Sequence, residues 1–190
     1  MWCAAYMSMR GYTLIELLVT LAIAAVVVRA ATVEFPHMLA TWTASARINA
    51  IIGAVQTARH TAIVHRTNAT LCPGIDRCGH RNHWHEGALV FTDHNANRRV
   101  DGADKITARL PAMRGGERIY WRAFRNRSYL LFRANGLTDW QNGHFQYCPP
   151  DGDPLFSRQI IVNATGRVRH AHDRNGDGIP EDARGKALRC

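Results

Sequence analysis

The feature that most constrains this chain lies near its start: Gly11-Tyr12-Thr13-Leu14-Ile15-Glu16-Leu17-Leu18, followed by the apolar run Val19 to Val28. That run has no charge, and only Thr20 in it is polar. Uninterrupted, it is shorter than the roughly 20 residues a free-standing membrane span needs. Counted from Tyr12 through Val33 it reaches that length, but only by carrying Glu16 and Arg29. A charged side chain at the bilayer centre costs ~2.5–3.5 kcal/mol, so one kept inside an apolar run is normally kept for a partner. In front lies a short leader, Met1 to Gly11, ending Met9-Arg10-Gly11. A base and then glycine just before an apolar run read as a processing signal rather than a fold element. An ordinary secretory signal would be cut after the apolar run and would have no use for Glu16.

From Tyr12 to about His65 the pattern predicts one long helix, broken or bent near Pro36, because proline removes a backbone donor and crowds the preceding turn. The back half is striped: Ala44, Ile48, Ile51, Val55, Ala58 and Ala62 recur at helical spacing, and Ile52 and Ile63 widen the stripe. Arg47, Gln56, Arg59 and Arg66 fall off it. The front half is apolar all round, so the helix bridges two environments and only its back half should lie on a sheet. After residue 66 the period turns strand-like. Strands are expected at 69–72, 88–92, 105–110, 118–124, 129–133, 143–148, 158–163 and 167–170, bounded by turn clusters such as Asn135-Gly136, Asn142-Gly143 and Thr165-Gly166. The expected fold class is α+β: a long N-terminal α-helix packed on a C-terminal antiparallel β head of two small sheets.

Arg10-Gly11 followed by Tyr12-Thr13-Leu14-Ile15-Glu16-Leu17 resembles the class III signal of type IV pilins and pseudopilins, with Tyr12 where phenylalanine is usual. The resemblance implies cleavage after Gly11 by a prepilin peptidase, N-methylation of Tyr12, and pairing of Glu16 with a neighbouring subunit's N-terminal amine. The head is similar to the GspH/FimT family of minor pilins and pseudopilins. The residues that carry this are Leu71-Cys72-Pro73, Trp84-x-x-Gly87-Ala88-Leu89-Val90-Phe91-x-Asp93, Asn135-Gly136, Phe145-x-Tyr147-Cys148 and Ile160-Ile161-Val162-x-x-x-Gly166-Arg167-Val168-Arg169. A pilin-like organisation would make 1–11 the cleaved leader, 12–35 a transmembrane and filament-core helix, 36–66 an amphipathic helix packed on the head, and 67–190 the head. The place implied is the bacterial inner membrane, single-pass with the head in the periplasm, and then a pilus or pseudopilus.

Cleavage after Gly11 would remove Cys3 and leave Cys72, Cys78, Cys148 and Cys190. An even number in an exported domain reads as disulfides, for which three pairings are possible. The favoured one closes a short loop with Cys72–Cys78 and ties down the C-terminal stretch with Cys148–Cys190. The same cleavage removes one base and no acid, taking the net charge from +9 to +8. Nearly all the base is arginine, the better bidentate binder of phosphate, and an excess of it suggests a polyanionic partner such as nucleic acid or an anionic membrane surface.

Gly166-Arg167-Val168-Arg169 is the sharpest functional candidate. On a strand Arg167 and Arg169 would share a face, and Gly166 would let the backbone turn or approach closely. His170, His172 and Arg174 follow within reach in sequence. In FimT-like minor pilins a GRxR motif near the C-terminus is associated with DNA binding during natural transformation. The resemblance thus implies a sequence-independent DNA contact through Gly166, Arg167, Arg169, His170 and Arg174. A solvent-facing arginine pair is the plainer alternative.

Between Arg98 and Arg133 ten bases face only Asp101, Asp104 and Glu117, interleaved with Trp121, Phe124, Tyr129 and Phe132. That mixture suits single-strand binding, but such aromatics are more often the core face of strands whose wet face carries the arginines. Cys72, Cys78, His80, His83 and His85 look like a zinc cluster, yet the cysteine spacing exceeds the usual two to four residues, and no metal is expected. Asp173-x-Asn175-x-Asp177-Gly178 opens like a calcium loop but has Arg184 where a bidentate carboxylate belongs. No nucleophile elbow, P-loop or HExxH is present, so an enzyme is not expected, nor any cofactor. The expected partners are DNA, other pilin or pseudopilin subunits, the inner membrane and the prepilin peptidase. The competing expectation is a purely structural pseudopilin of a type II secretion system that binds no DNA.

Overall fold

The computed structural model describes residues 11–80, 83–113 and 115–190. Residues 1–10 of the expected leader, with Cys3 and Arg10, and Arg114 of the arginine-rich middle lie outside them. The first helix, α1, spans Leu14–Val64. It runs through Pro36 unbroken, so of the expected break or bend the break does not occur. Proline costs ~3 kcal/mol inside a helix, but that cost is local and α1 continues for several turns on both sides. The chain divides into two compact units, the first ending at Leu39 and the second beginning at Ala40.

In the first unit the helix is apolar and uncovered. Leu14, Ile15, Leu17, Leu18, Leu21, Ile23 and Val26 to Val28 are all exposed. By length and composition α1 can cross a membrane. Its start is built from Thr13 and Glu16: the Thr13 Oγ1 accepts from the Glu16 N–H at 3.3 Å, and a Glu16 carboxylate oxygen accepts from the Thr13 N–H at 3.5 Å. This is a reciprocal capping box, which satisfies two orphan donors of the first turn.

In the second unit eight strands follow the helix: β1 Ala69–Pro73, β2 Ala88–Thr92, β3 Ile106–Leu110, β4 Arg118–Ala123, β5 Leu130–Phe132, β6 Gly143–Cys148, β7 Arg158–Val162 and β8 Val168–His170. They form two four-stranded antiparallel sheets, ordered β3-β2-β1-β5 and β4-β6-β7-β8. The fold is the expected α+β arrangement of one long helix and two small antiparallel sheets. The striped residues Ala44, Ile48, Ile51, Val55, Ala58 and Ala62 of α1 are buried with Leu71, Val90 and Leu130 of the first sheet and Ile119, Phe145, Ile160 and Val162 of the second. Trp84 packs edge-on to Phe145 at 4.8 Å, and Phe145 stacks on Trp121 at 4.2 Å.

In the first sheet β1, β2 and β5 are buried on both faces, while the edge strand β3 alternates half-buried and exposed residues. A smaller core of Cys72, Leu89, Phe91, Tyr129 and Leu131 covers its far side, under the loops that hold Ala96, Val100 and Cys78. Disulfides join Cys72 to Cys78 and Cys148 to Cys190. The second sheet keeps an outer face that is polar and partly open.

Candidate nucleic-acid interface

The turn between β7 and β8 is organised by Asn163. Its side-chain oxygen accepts from the Arg167 N–H at 2.8 Å and from the Thr165 hydroxyl at 2.8 Å, while its carbonyl accepts from the Gly166 N–H at 2.9 Å. Gly166 sits at φ +73°, where a Cβ would lie 2.7 Å from a Phe132 ring carbon and 3.3 Å from Arg59 Cδ. The glycine is therefore needed both for its backbone conformation and for its close approach to its own core.

β8 begins at Val168, so Arg167 closes the turn instead of opening the strand. Pairing nevertheless reaches it, since the Asn163 N–H donates to the Arg167 carbonyl at 3.1 Å. Val168 packs against the core and leaves Arg167 and Arg169 exposed on either side of it. Among the described residues neither guanidinium has a carboxylate partner. Arg169 also sits in a cross-strand row on the outer face of the second sheet: Arg122 opposite His144, His144 opposite Ile161, Ile161 opposite Arg169. Residues opposite one another in a sheet share a face.

His170 is exposed at the end of β8, opposite Ile160. Arg174 is carried elsewhere. The chain after β8 continues along β7, with the Ala171 N–H donating to the Gln159 carbonyl, and reaches a loop whose Gly178 lies beside Leu155. Arg167 is at one end of β7 and Arg174 beyond the other. In that loop Asp173 accepts from the Gly176 and Gly178 N–H groups, both at 2.7 Å, and these bonds hold its carboxyl below the usual carboxylate range. The calcium-like spacing thus forms a self-bonded turn. The cysteines of the zinc-like group are joined to each other, which removes both thiolates as ligands.

A cleft of about 520 Å³ opens on the outer face of the second sheet, against the segment from Asp182 to Arg189. Its walls carry Arg122, Arg184, Arg189 and His144, the amides of Asn142, Gln146, Gln159 and Asn163, and one acid, Asp182. The Gln146 amide donates to the Arg189 carbonyl at 2.7 Å, and the Cys148–Cys190 disulfide closes the same side. Burial and the neighbouring Arg122 push the His144 imidazole below its ordinary value, against the pull of Asp182.

The arginine-rich middle divides as its plainer reading expects. Trp121, Tyr129 and Phe132 are buried, while Arg118, Arg122, Arg125, Arg127 and Arg133 are exposed. Phe124 is the exception, at 54% exposed. Sequence reasoning missed four residues around this face. Arg59 of α1 lies under the Gly136 and Gly166 turns, and its Nε is buried without a partner. The tail arginines Arg184 and Arg189 carried no motif. Trp140 is 76% exposed; it stands outside every pattern used.

A profile for the type II transport protein GspH matches residues 47–166, and one for the prokaryotic N-terminal methylation motif matches residues 6–28. No curated protein sequence matches the chain. Among solved structures, the type IV minor pilin FimU of Pseudomonas aeruginosa is 18% identical, with a TM-score of 0.48 over 72% of this chain and 91% of that one. The minor pseudopilin EpsH of the Vibrio cholerae Type 2 Secretion System is 9% identical, with a TM-score of 0.47 over 67% of this chain and 94% of that one. With that profile covering well over half of its length, the chain belongs to the GspH family of minor pilins and pseudopilins.

Proposed function

We propose that this GspH-family chain is a DNA-capturing minor pilin that serves natural transformation. It is made with a leader cut after Gly11 and is methylated on Tyr12, in keeping with the methylation motif over residues 6–28. Glu16 then pairs with the amine of a neighbouring subunit. Residues 12–35 hold it in the inner membrane and later in the filament core. Residues 36–66 join that helix to the periplasmic head, 67–190, and no catalytic activity or cofactor is involved.

The observation that carries the DNA reading is the exposed, carboxylate-free pair Arg167 and Arg169 at the open edge of the second sheet. Arginine forks onto phosphate oxygens, and such contacts carry no sequence information. Single-head affinity would be weak, with Kd roughly 10⁻⁴ to 10⁻⁶ M at physiological salt, and copies along a filament would raise it by multivalency. Gly166 positions the pair and His170 extends it; Arg174 sits too far along β7 to share one phosphate with Arg167.

The test is a gel-shift titration of random-sequence DNA with the full chain in detergent micelles, at two salt concentrations. Binding is expected, weaker as salt rises, and largely lost in Arg167→Ala/Arg169→Ala, whose salt slope falls by about two. Retained binding in that variant moves the site to the arginine-rich middle. No binding even in dilute salt removes the reading. It would leave the secretion role to which the family description "type II transport protein" points, a pseudopilin acting only through other subunits.

A further inference from the structure

We propose that Trp140 and Phe124 are stacking platforms for unpaired bases, so that the nucleic acid this head takes is a single strand; the inference rests on the DNA reading above. Trp140 has φ +60° and an indole 76% exposed. A bulky residue in the left-handed region is strained, and persists only where its surroundings enforce it. Here both neighbours are pinned to β5. The Asp139 N–H donates to the Leu131 carbonyl at 3.0 Å and its carboxylate accepts from Arg133 at 2.6 Å. The buried Gln141 side chain accepts from the Leu131 N–H at 2.5 Å. The loop is fixed and the ring is left in solvent.

Phe124 reaches the same place from β4, its N–H donating to the Asn142 carbonyl at 2.9 Å. The guanidinium of Arg125, itself at φ +56°, lies 5.6 Å from the Phe124 ring centre. Thr138 joins the Trp140 loop to the Arg167 turn, donating through its N–H at 3.0 Å and its hydroxyl at 3.1 Å to the Ala164 carbonyl. Two exposed rings therefore share one end of the second sheet with Arg122, Arg125 and Arg167. Asn142, two residues after Trp140 and hydrogen-bonded to Phe124, also lines the polar cleft. Rings interleaved with cations fit a strand whose bases are free to stack and whose phosphates need countercharge. A duplex offers no base face to them. A protein interface core is depleted of charge, which is not the setting of either ring.

The experiment measures anisotropy of a labelled oligo-dT strand and of a hairpin duplex with the same number of phosphates, using the full chain in detergent micelles. The strand is expected to bind more tightly. Trp140→Ala and Phe124→Ala should each weaken the strand roughly 5- to 150-fold while changing the duplex by less than about twofold, and Trp140→Phe should keep most of the affinity. Equal affinity for both probes, or unchanged strand binding in both alanine variants, overturns this inference and leaves the DNA reading standing. Binding of neither probe by the unaltered chain ends both. Loss of co-purifying filament subunits from Trp140→Ala with strand binding intact makes the ring a subunit contact and likewise overturns the inference.

Discussion

Gly166 is the residue of the arginine motif least able to change. Any side chain there must hold a left-handed backbone and displace Phe132, whose ring carbon would be 2.7 Å away. Gly166→Ala should lose about 1–3 kcal/mol in urea unfolding, with DNA affinity falling only as far as the turn is disturbed. His144 makes a pH-dependent prediction. Burial, then Arg122, holds its imidazole below the usual 6.5, so the unfolded chain takes up its proton first as the solution is acidified. Its share of stability is whole above that value, declines as pH falls from it towards the lowered folded value, and levels off below that. Melting temperatures between neutral and mildly acidic pH should drop less steeply for His144→Gln than for the unaltered chain; equal slopes would remove the effect.

At the scale of elements, the back half of α1 is fastened to the second sheet by polar as well as apolar contact. Glu117, just before β4, takes Arg47 Nε at 3.0 Å and the Tyr147 hydroxyl at 3.0 Å. Burial and the Glu117 carboxylate hold the Tyr147 phenol well above its usual range, so it stays a donor. Tyr147→Phe should cost ~1 kcal/mol in unfolding experiments. Glu117→Ala should cost about 2 kcal/mol, less than a fully buried pair, because a third of the Arg47 side chain is in solvent. Equal losses in the two variants would mean that Arg47 contributes nothing.

These elements differ in how far they were legible in advance. All eight strands were legible as short runs bounded by turn residues. Alternation is clear only over Ile119 to Phe124, since β1, β2 and β5 are buried throughout. The helix stripe named its own core face. The turn bounds were read one residue loosely at Arg167, because Asn163 closes the turn with its side chain. Trp140 and Arg125 were unreadable, since left-handed backbone at such residues is imposed by neighbours distant in sequence and leaves no local signature. The Arg122–His144–Ile161–Arg169 row likewise exists only once strand register is known.

At the scale of the whole chain, the second unit depends on a staple as well as a core. Cys148–Cys190 closes a separation of 42 residues; on chain entropy alone its loss should cost ~3–4 kcal/mol. The Cys148→Ser/Cys190→Ser variant should unfold at correspondingly lower urea, and the cleft wall built from Arg184 and Arg189 should gain hydrogen-exchange rate while β1 and β2 do not. A uniform rise in exchange would contradict that division. The two sheets are in fact unequal in what they can tolerate. In one, β1, β2 and β5 are sandwiched between two cores, so nearly every substitution in those strands is a packing problem. The other carries on its far side a polar cleft that is partly open to solvent, and exposed residues of that face such as Arg122 and Arg169 can be exchanged without touching the interior. Saturation mutagenesis should therefore sort itself by sheet, with folding failures gathering on the first and altered ligand preference on the second. Lineages adapting this scaffold to new polyanions would leave their record on a single wall of it.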